Sequence, residues 1–449
     1  MTRKRTPLTS AATDRSVLMR VGRRVLPLIF LGSLVSYVDR VNIGYAQLGM
    51  GKELGITAAA YGLAAAIFFV AYCVCEVPSN LLLAKFGARI WLARIMVSWG
   101  IVTILTGFVQ DTTQLYIARF LLGIAEAGFF PGMILYITLW FRSRDRAIAL
   151  GTLVAAQPVA FLVGGVGSGL ILDHVHWFGL HSWQWVFLLT GIPAVVIGVL
   201  TFRLLPEAPQ RVRWLKPDEA ASLQDSLDAE MGKPEKHSVR AQLASLKSRR
   251  VLHLALINCV TALGFYGFNL FVPLILKQIN PTYSATNIGL LAILPYGCAT
   301  LGLIVYSMVA KHVTRVRLLN IVLTLVSATG ISGIIVFRGN PEVALAFLTL
   351  MAISCFIFVP AFWSLASAAL PRSQAVVGFG VVNSFSAIGG FLGPYIVGQA
   401  AVGTNVTGGL LAPLISLLLG TVLLVLWKGR PAVAVVPQDV AVHPSGETV

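Results

Sequence analysis

The chain has 449 residues, of which 57% are hydrophobic and 12% are charged, about half the charged share of an ordinary soluble domain. This composition excludes a soluble enzyme or a soluble binding domain. The net charge is +16, from 34 basic and 18 acidic residues, and in a soluble protein it would favour a nucleic acid partner. The basic residues instead sort to one side of a membrane, so we expect no nucleic acid.

Twelve apolar runs, each long enough to cross a bilayer, alternate with turn and breaker residues. The runs of the first half cover residues 25–47, 60–83, 91–110, 114–140, 147–172 and 184–205. Those of the second half cover residues 251–276, 287–310, 317–337, 342–369, 374–402 and 408–428. The sequence therefore predicts an all-α polytopic membrane protein with twelve transmembrane helices.

A long polar segment divides these helices into two groups of six. The predicted domains are a basic tail (1–24), an N-terminal six-helix bundle (25–205), a linker (206–250), a C-terminal six-helix bundle (251–428) and a second tail (429–449). Within the linker, Pro217-Asp218-Glu219 has the composition of a helix start, and Leu223 and Leu227 follow at helical spacing. They predict a short amphipathic helix that either lies on the membrane surface or is a solvated linker helix.

The basic residues are distributed unevenly between the two sides of the membrane. With the N-terminus in the cytoplasm, the cytoplasmic side receives seven basic residues in the amino tail and nine in the linker, whereas the opposite side keeps Lys52, Lys277 and Arg338. Such an asymmetry is the positive-inside rule. We therefore predict that both termini are cytoplasmic and that the protein is integral to a membrane, the inner membrane of a bacterium.

The two halves also resemble each other at an offset of about 226 residues, as duplicated folding units do. The matching positions are 84–89 with 310–315, and Gln157, Gly164 and Gly167 with Asn383, Gly390 and Gly393. Because six is an even number, the second half repeats the first in the same membrane orientation. The sequence thus predicts two parallel-related six-helix bundles.

Ionisable side chains within apolar runs are costly in a membrane and are functional candidates by default. They are Asp39, Arg40, Glu76, Arg119 and Glu126, all in the first half. The second half offers polar and aromatic side chains instead: Asn258, Tyr266, Asn269, Trp363 and Asn383. The alternative is a salt-bridge network that only fixes helix packing, and for Glu76 that alternative is as strong as a functional role.

Helical spacing indicates which of these charges can cooperate. Arg119 and Glu126 are seven residues apart, so they project from one helix face about 10.5 Å apart along the axis and can line one cavity. Asp39 and Arg40 are neighbours about 100° apart, which suits an arginine facing a ligand and an aspartate facing another helix. Tyr37 shares the side of Arg40.

Arginines that face a central cavity suit an anionic ligand, because a guanidinium pairs with a carboxylate through two parallel hydrogen bonds. The intramembrane carboxylates suit protons. If a substrate anion captures the arginine that neutralises a carboxylate, that carboxylate binds a proton more readily. This coupling predicts that Glu126→Gln keeps anion binding or exchange but loses proton-driven accumulation.

Motifs of other functional classes are missing. The sequence contains no phosphate-binding Gly-rich loop, no Cys/His metal spacing and no nucleophile elbow. We therefore expect no cofactor, no metal and no enzymatic activity. A membrane enzyme acting on lipids or isoprenoids is a weaker alternative, because the sequence contains neither the Asp-rich metal-binding motifs nor the catalytic His and Ser groups expected of such an enzyme.

Three stretches of the first half resemble one known family. They are Ser36-Tyr37-Val38-Asp39-Arg40-Val41-Asn42, then Tyr72 with Glu76-Val77-Pro78-Ser79-Asn80, then 119–128 running into Phe129-Phe130-Pro131-Gly132. Together with Trp214-Leu215-Lys216-Pro217-Asp218-Glu219 in the linker, they look like the anion:cation symporter family of the major facilitator superfamily. Members are mostly proton-coupled importers of organic anions such as sugar acids, tartrate, phthalate, hydroxyphenylacetate and nicotinate-type acids.

This resemblance implies the major facilitator fold and a role for each matching residue. By similarity, Asp39 and Glu126 would carry coupling protons, Arg40 would bind the substrate carboxylate, and Arg119 and Glu76 would belong to the charge network. The pocket would be completed by Tyr37, Tyr72, Gln157, Trp363 and Asn383. The loop motif after span 2 would comprise Lys85, Gly87 and Arg89, although Ala84 stands where many members have an aspartate.

The expected function is therefore uptake of a small organic carboxylate with protons by alternating access. The expected partners are a small organic anion, protons and membrane lipid, and the functional unit is expected to be a monomer. The competing prediction is a major facilitator antiporter that exports drugs or metabolites. Arg40 and Arg119 argue against a cationic cargo for that antiporter.

Overall fold

The computed structural model describes residues 11–142, 145–231, 248–370, 372–401 and 406–428. Within these residues, twelve helical segments are long and apolar enough to cross a membrane, as the sequence predicts. The first part of the predicted basic tail, with Arg3, Lys4 and Arg5, lies outside the described residues, as do most of the second half of the linker and the tail from residue 429.

The first half contains seven helices, because its fourth span is broken into two. They are α1 (Ala11–Glu53), α2 (Ala58–Phe86), α3 (Ala88–Thr106), α4 (Thr112–Glu126), α5 (Phe129–Thr138), α6 (Arg146–His174) and α7 (Ser182–Leu204). A short 3₁₀ turn (Pro209–Arg211) leads to the linker helix α8 (Pro217–Met231).

The second half contains eight further helices, because its first two spans are broken as well. They are α9 (Arg249–Asn269), α10 (Val272–Ile279), α11 (Ala285–Leu291), α12 (Ile293–Val309), α13 (Val316–Val336), α14 (Pro341–Ala369), α15 (Arg372–Gln399) and α16 (Leu411–Leu426). Short 3₁₀ turns at Ala310–His312 and Gly408–Leu410 connect some of them.

The helices of the two halves pack in the same pattern. In the first half α1 packs on α6 and α7, α2 on α4, and α3 on α4 and α7. In the second half α9 packs on α15 and α16, α12 on α14, and α13 on α14 and α16. Counted by span, each pair in one half has its counterpart six spans later in the other. The molecule therefore consists of two parallel-related six-helix bundles.

The linker helix α8 is docked on the first half, unlike either arrangement predicted for it. Its Leu223 and Leu227 are buried in one cluster with Val21 of α1. Arg20 of α1 donates to Glu219 at 2.7 Å. The helix α1 thus begins within the predicted tail, because its first turns form the surface on which the linker helix packs.

The docked helix also defines the two sides of the molecule. Arg146, the first residue of α6, lies 3.6 Å from Glu230 of α8, so α6 starts on the side of the linker and ends on the opposite side. We call these the linker side and the outer side.

The two halves meet closely on the outer side, where α2 packs on α15 and α6 on α11 and α12. Glycines allow the backbones to touch: a Cβ on Gly62 of α2 would lie 2.5 Å from the Pro394 carbonyl oxygen, and one on Gly289 would lie 2.5 Å from the Gly165 carbonyl oxygen. The Tyr61 hydroxyl donates to the Leu270 carbonyl at 2.5 Å. The outer side is therefore closed.

Candidate functional site

A cavity of about 170 Å³ lies between the halves at the middle of the membrane helices. Its walls contain the six residues predicted to bind substrate and the predicted network residue Glu76: Tyr37, Arg40, Tyr72, Glu76, Gln157, Trp363 and Asn383. Tyr266 and Asn258 also line it, whereas Asn269 is buried and bonds to the Tyr296 hydroxyl. The structure thus brings the predicted pocket residues of both halves to one place.

Arg40 is the charged centre of the first-half wall. Its Nε and Nη2 atoms both donate to Oε1 of Glu126, at 2.9 and 2.6 Å. The rings of Tyr37, Phe68 and Tyr72 surround the guanidinium, with centroids 5.3 to 5.5 Å from its central carbon. Cation–π contacts of this kind fix the position of the guanidinium plane.

The guanidinium of Arg40 has two flat edges, and Glu126 occupies only one. The Nε and Nη2 edge pairs with a single carboxylate oxygen, which leaves the edge formed by Nη1 and the second Nη2 hydrogen for another acceptor. Arg40 lines the cavity, while the side chain of Glu126 is completely buried behind it. Arg40 therefore lines the cavity with a guanidinium that has donors Glu126 does not use.

Glu126 ends α4 at a break in the fourth span. The next helix, α5, starts after Gly128, which has a φ of +85° that favours glycine. Ser36 donates to Oε1 of Glu126 at 2.8 Å, and Oε2 has no hydrogen-bond partner among the described residues. The expectation that Arg119 and Glu126 line one cavity is wrong for Glu126, because Arg40 covers it.

Arg119 faces a narrow extension of the cavity of about 10 Å³. The extension is also lined by Arg40, Gln157 and Tyr266. The guanidinium of Arg119 lies 5.3 Å from the Phe68 ring centroid, and no ion pair or hydrogen bond to it occurs within the described part of the chain. A second cation without a fixed partner thus lies close to Arg40.

Asp39 points away from the cavity, toward α3, as its angular offset from Arg40 predicts. Thr103 and Asn42 donate to its Oδ1 at 2.7 and 3.1 Å, and Asn42 also donates to the Thr190 hydroxyl at 2.9 Å. The second oxygen, Oδ2, is buried without a described partner. Asp39 is therefore a buried carboxylate held by neutral groups rather than by a cation.

The second-half wall is rich in hydroxyl groups that the sequence analysis did not single out. Thr261, Thr324 and Ser327 line the cavity and each donates to a backbone carbonyl of its own helix. Two of these hydroxyls also bond to a neighbouring helix: Thr324 accepts from the Thr421 hydroxyl at 2.8 Å, and Ser327 lies 2.7 Å from the Ser354 hydroxyl oxygen. Serine and threonine bond to their own helix anywhere in a membrane span, so the sequence carries no signal that marks these three.

Glu76 and Asn383 join the two halves at the level of the cavity. The Asn383 side-chain amide donates to Oε1 of Glu76 at 3.2 Å. Glu76 thus has a hydrogen-bond partner from the opposite half and still faces the cavity.

The loop between α2 and α3 carries the predicted motif residues. Gly87 separates the two helices with a φ of +83°, and Arg89 pairs with Glu207 at 2.9 Å. Lys85 is exposed. Arg94 lies further into α3 and was not predicted as a site residue, although it too is a charge within an apolar run.

Comparison with known proteins shows which family the chain resembles. A family profile described as Major Facilitator Superfamily matches residues 29–394. The chain is 38% identical to a "Putative tartrate transporter" of Agrobacterium vitis, over 86% of this chain and 88% of that protein. It is 36% identical to a "Quinolone resistance transporter" of Acinetobacter baumannii, over 91% of this chain and 94% of that protein.

A solved structure of the E. coli xylose transporter XylE, in a partially occluded inward-open conformation, has the same fold. The TM-score is 0.69 at 16% sequence identity, with 92% of this chain and 98% of that one covered. The motifs around Arg40 and Glu126 resemble the anion:cation symporter family, and a relative named as a tartrate transporter agrees with that resemblance. With a profile that spans most of its length and relatives that align almost from end to end, the chain belongs to the major facilitator superfamily of membrane transporters.

Proposed function

We propose that this transporter imports a small organic carboxylate together with protons. The observation that carries the proposal is the position of Arg40, which holds the buried Glu126 on one edge of its guanidinium and lines the cavity with the rest. A substrate carboxylate can bind the remaining edge through two hydrogen bonds. The relative named as a tartrate transporter supports a carboxylate as the cargo.

Proton coupling follows from competition for Arg40. When Glu126 takes a proton, its negative charge disappears and Arg40 attracts a substrate anion more strongly. When the substrate leaves, Arg40 again attracts the ionised form of Glu126 and the proton is released. Substrate and proton therefore bind together and leave together.

Asp39 is the second proposed proton carrier. It lies one residue from Arg40, is 1% exposed and has no cationic partner within the described residues. Oδ2 of Asp39 and Oε2 of Glu126, which lack described partners, are the atoms proposed to take the protons. Arg119, with no fixed partner, would attract whichever of the two carboxylates is ionised.

The direction of transport rests on the placement of the linker side in the cytoplasm. The basic residues of α1 and of the linker support that placement. Among the described residues, the hydrogen bonds between the halves lie on the outer side or at the level of Glu76. With this placement, the conformation is closed to the outside. A bacterial inner membrane is the proposed location, and the monomer is the proposed working unit.

Uptake into proteoliposomes tests the proposal. An inward proton gradient is imposed and labelled tartrate, galactonate, phthalate, hydroxyphenylacetate and nicotinate are offered in turn. We expect accumulation of at least one acid by the parent protein. Glu126→Gln should exchange that acid across the membrane but not accumulate it, since glutamine accepts from Arg40 but carries no proton.

Glu342→Gln is the matched control, because Glu342 is an exposed glutamate at the start of α14. It should accumulate the acid as the parent does. Proton-driven accumulation that persists in Glu126→Gln would refute the coupling role of Glu126, and failure of every acid would refute carboxylate transport.

Export of drugs is the second candidate function, and two observations favour it. One relative is named as a quinolone resistance transporter, and aromatic rings from both halves line the cavity, among them Phe129, Phe358, Phe362 and Trp363. Inside-out vesicles with an acidic lumen, supplied with a fluorescent quinolone in the medium, distinguish the two. Proton-driven movement of the quinolone without movement of any of the acids would favour the exporter.

A further inference from the structure

Arg94 lies on a face of α3 that otherwise carries exposed apolar side chains. Ile90, Ile101 and Leu105 are 42%, 47% and 59% exposed, and they share one helical face with Arg94. In a membrane span, an exposed apolar face is the face that contacts lipid. Arg94 therefore faces lipid.

The depth of Arg94 brings its charge to the lipid headgroups. The helix begins on the linker side at Ala88, and a position six residues further lies about 9 Å along the axis. Side chains lean toward the N-terminal end of their helix, and a long arginine can extend its charged end to the interface. The guanidinium is thus directed at the linker-side leaflet.

The described part of the chain supplies no anion for this cation within ion-pair distance. The Nε of Arg94 is buried without a hydrogen-bond partner, and no carboxylate of the described residues lies within ion-pair distance. Arg89, five residues earlier, differs because it pairs with Glu207 at 2.9 Å. Because Arg94 is half-buried and has no anion within ion-pair distance in the described part of the chain, an anion at the membrane surface would stabilise its charge.

Two stacked rings form a shelf beside Arg94. Its guanidinium carbon lies 4.0 Å from the Trp91 ring centroid, and Trp91 stacks on Phe86 at 5.7 Å with an interplanar angle of 12°. The Trp91 indole nitrogen donates to the Ser79 hydroxyl at 3.0 Å, which holds the ring in place. The Nζ atom of Lys85 lies 5.5 Å from the Phe86 ring, so a cation lies beside each ring of the shelf.

We propose that Arg94 binds the phosphate of an anionic phospholipid in the linker-side leaflet, with Trp91 holding the guanidinium in position and Lys85 adding positive charge beside the Phe86 ring. Among the described residues, neither cation has a carboxylate within ion-pair distance. Two such cations favour a headgroup with a net negative charge and disfavour a zwitterionic headgroup, whose ammonium they repel. The Ser79 hydroxyl that holds Trp91 also donates to the Ala127 carbonyl at 2.6 Å. Through Ser79, the stacked rings of Trp91 and Phe86 are connected to the helix break next to Glu126.

Lipid binding to the purified full-length protein tests the site without any assumption about transport. Delipidated protein is titrated separately with phosphatidylglycerol and with phosphatidylcholine, and bound lipid is counted by native mass spectrometry. We expect the parent to prefer phosphatidylglycerol. Arg94→Gln should weaken phosphatidylglycerol binding about fivefold, the effect of one basic residue near a membrane surface, and leave phosphatidylcholine binding unchanged.

Two further variants make the result specific. Arg203→Gln removes an exposed arginine near the linker-side end of α7 and should leave phosphatidylglycerol binding unchanged. Arg94→Lys keeps a charge at the same depth and should retain the preference, which separates loss of charge from misfolding. Equal weakening in the Arg94→Gln and Arg203→Gln variants, no preference in the parent, or displacement of the lipid by inorganic phosphate would each overturn the proposal.

Discussion

Arg40 serves two anions in the proposed cycle, and its flat guanidinium makes that possible. Glu126 accepts hydrogen bonds from Nε and from one Nη2 hydrogen. The substrate is proposed to accept from the other edge of the guanidinium, formed by Nη1 and the second Nη2 hydrogen. Arg40→Lys keeps the positive charge but offers no second planar edge. We expect the affinity for the transported acid to fall about tenfold to a hundredfold, since a hydrogen bond to a charged group contributes about 1.5 to 3 kcal/mol. Equilibrium binding of the labelled acid measures this change.

Arg203→Lys is the control for this substitution, because Arg203 is exposed at the far end of α7. It should bind the acid like the parent. If Arg40→Lys also bound the acid like the parent, a simple positive charge would suffice and the two-edge arrangement would be wrong.

The charges of the site could be predicted from their cost in a membrane, whereas its hydroxyl groups could not. Arg40 and Asp39 stand out because a charge within an apolar run needs a reason. The partner of Glu126 could not be read from spacing, since Arg40 comes from another helix 86 residues away in the chain. Thr324 and Ser327 carry no signal at all, because each hydroxyl bonds to its own helix.

At the level of helices, hydrogen bonds to Asp173 connect the end of α6 with the start of α11. Its two carboxylate oxygens accept from the backbone nitrogens of Ala285 and Thr286, at 3.2 and 2.7 Å. These N–H groups belong to the first turn of a helix and have no partner within it. Because α6 and α11 belong to different halves, this contact must break whenever the outer side opens.

Asp173→Ala should therefore shift the transporter toward an outward-open conformation. Loss of hydrogen bonds to a charged group worth about 1.5 to 3 kcal/mol would change the balance about tenfold to a hundredfold. Spin labels at Phe178 and Arg338, exposed positions beyond the outer ends of the two halves, report the opening as a longer distance. An unchanged distance distribution would exclude Asp173 as an outer latch.

Asp111→Ala is the matched control for the latch. Asp111 also caps a helix, by accepting from the Gln114 nitrogen at 2.8 Å, but both residues belong to the first half. Its removal should lower the stability of α4 without lengthening the distance between the labels.

The docking of the linker helix α8 should depend on pH in a defined direction. The guanidinium of Arg20, which donates to Glu219, holds the pKa of that carboxyl below its ordinary value, about 4.3. A carboxylate with a lowered pKa stabilises the docked state above its ordinary pKa, and this contribution is lost as the pH falls through the lowered value. We expect α8 to stay docked from neutral pH to about pH 5 and to loosen only in stronger acid.

The mobility of a spin label at Asp225, an exposed position of α8, measures this docking. Glu219→Gln should make the label more mobile at neutral pH and remove the loosening in acid. Asp218→Asn changes an exposed acid of the same helix and should keep the parent's response. A parent-like response of Glu219→Gln would contradict the role of the Arg20 contact.

The membrane helices could be predicted better than their interruptions. Long apolar runs locate the twelve spans, because crossing a bilayer requires them. The breaks at Gly128 and between α9 and α10 fall within such runs, where the bilayer imposes the same composition on broken and unbroken helices. The docking of α8 was missed for a related reason: Leu227 at helical spacing indicates a buried face but not the surface that covers it.

For the whole molecule, the arrangement of the halves determines which side of the membrane the cavity communicates with. The outer side is closed by backbone contacts between glycines such as Gly62 and Gly398, where a Cβ on Gly398 would lie 2.9 Å from the Gly62 Cα. Packing this close excludes even a water molecule. Because these described contacts close the outer side, we expect a reagent to reach the cavity from the linker side in this conformation.

Cysteine labelling in a variant without the native cysteines tests both the access and the orientation. Ser386→Cys places a thiol in the cavity wall, Phe178→Cys marks the outer loop and Asp218→Cys marks the linker. In intact cells, an impermeant maleimide should label Phe178→Cys at once, but label Asp218→Cys and Ser386→Cys only after the membrane is opened. The transported acid should then slow labelling of Ser386→Cys alone, because it occupies the same cavity. Rapid labelling of Ser386→Cys in intact cells would show an outward-open resting state, and rapid labelling of Asp218→Cys would reverse the proposed orientation of both termini.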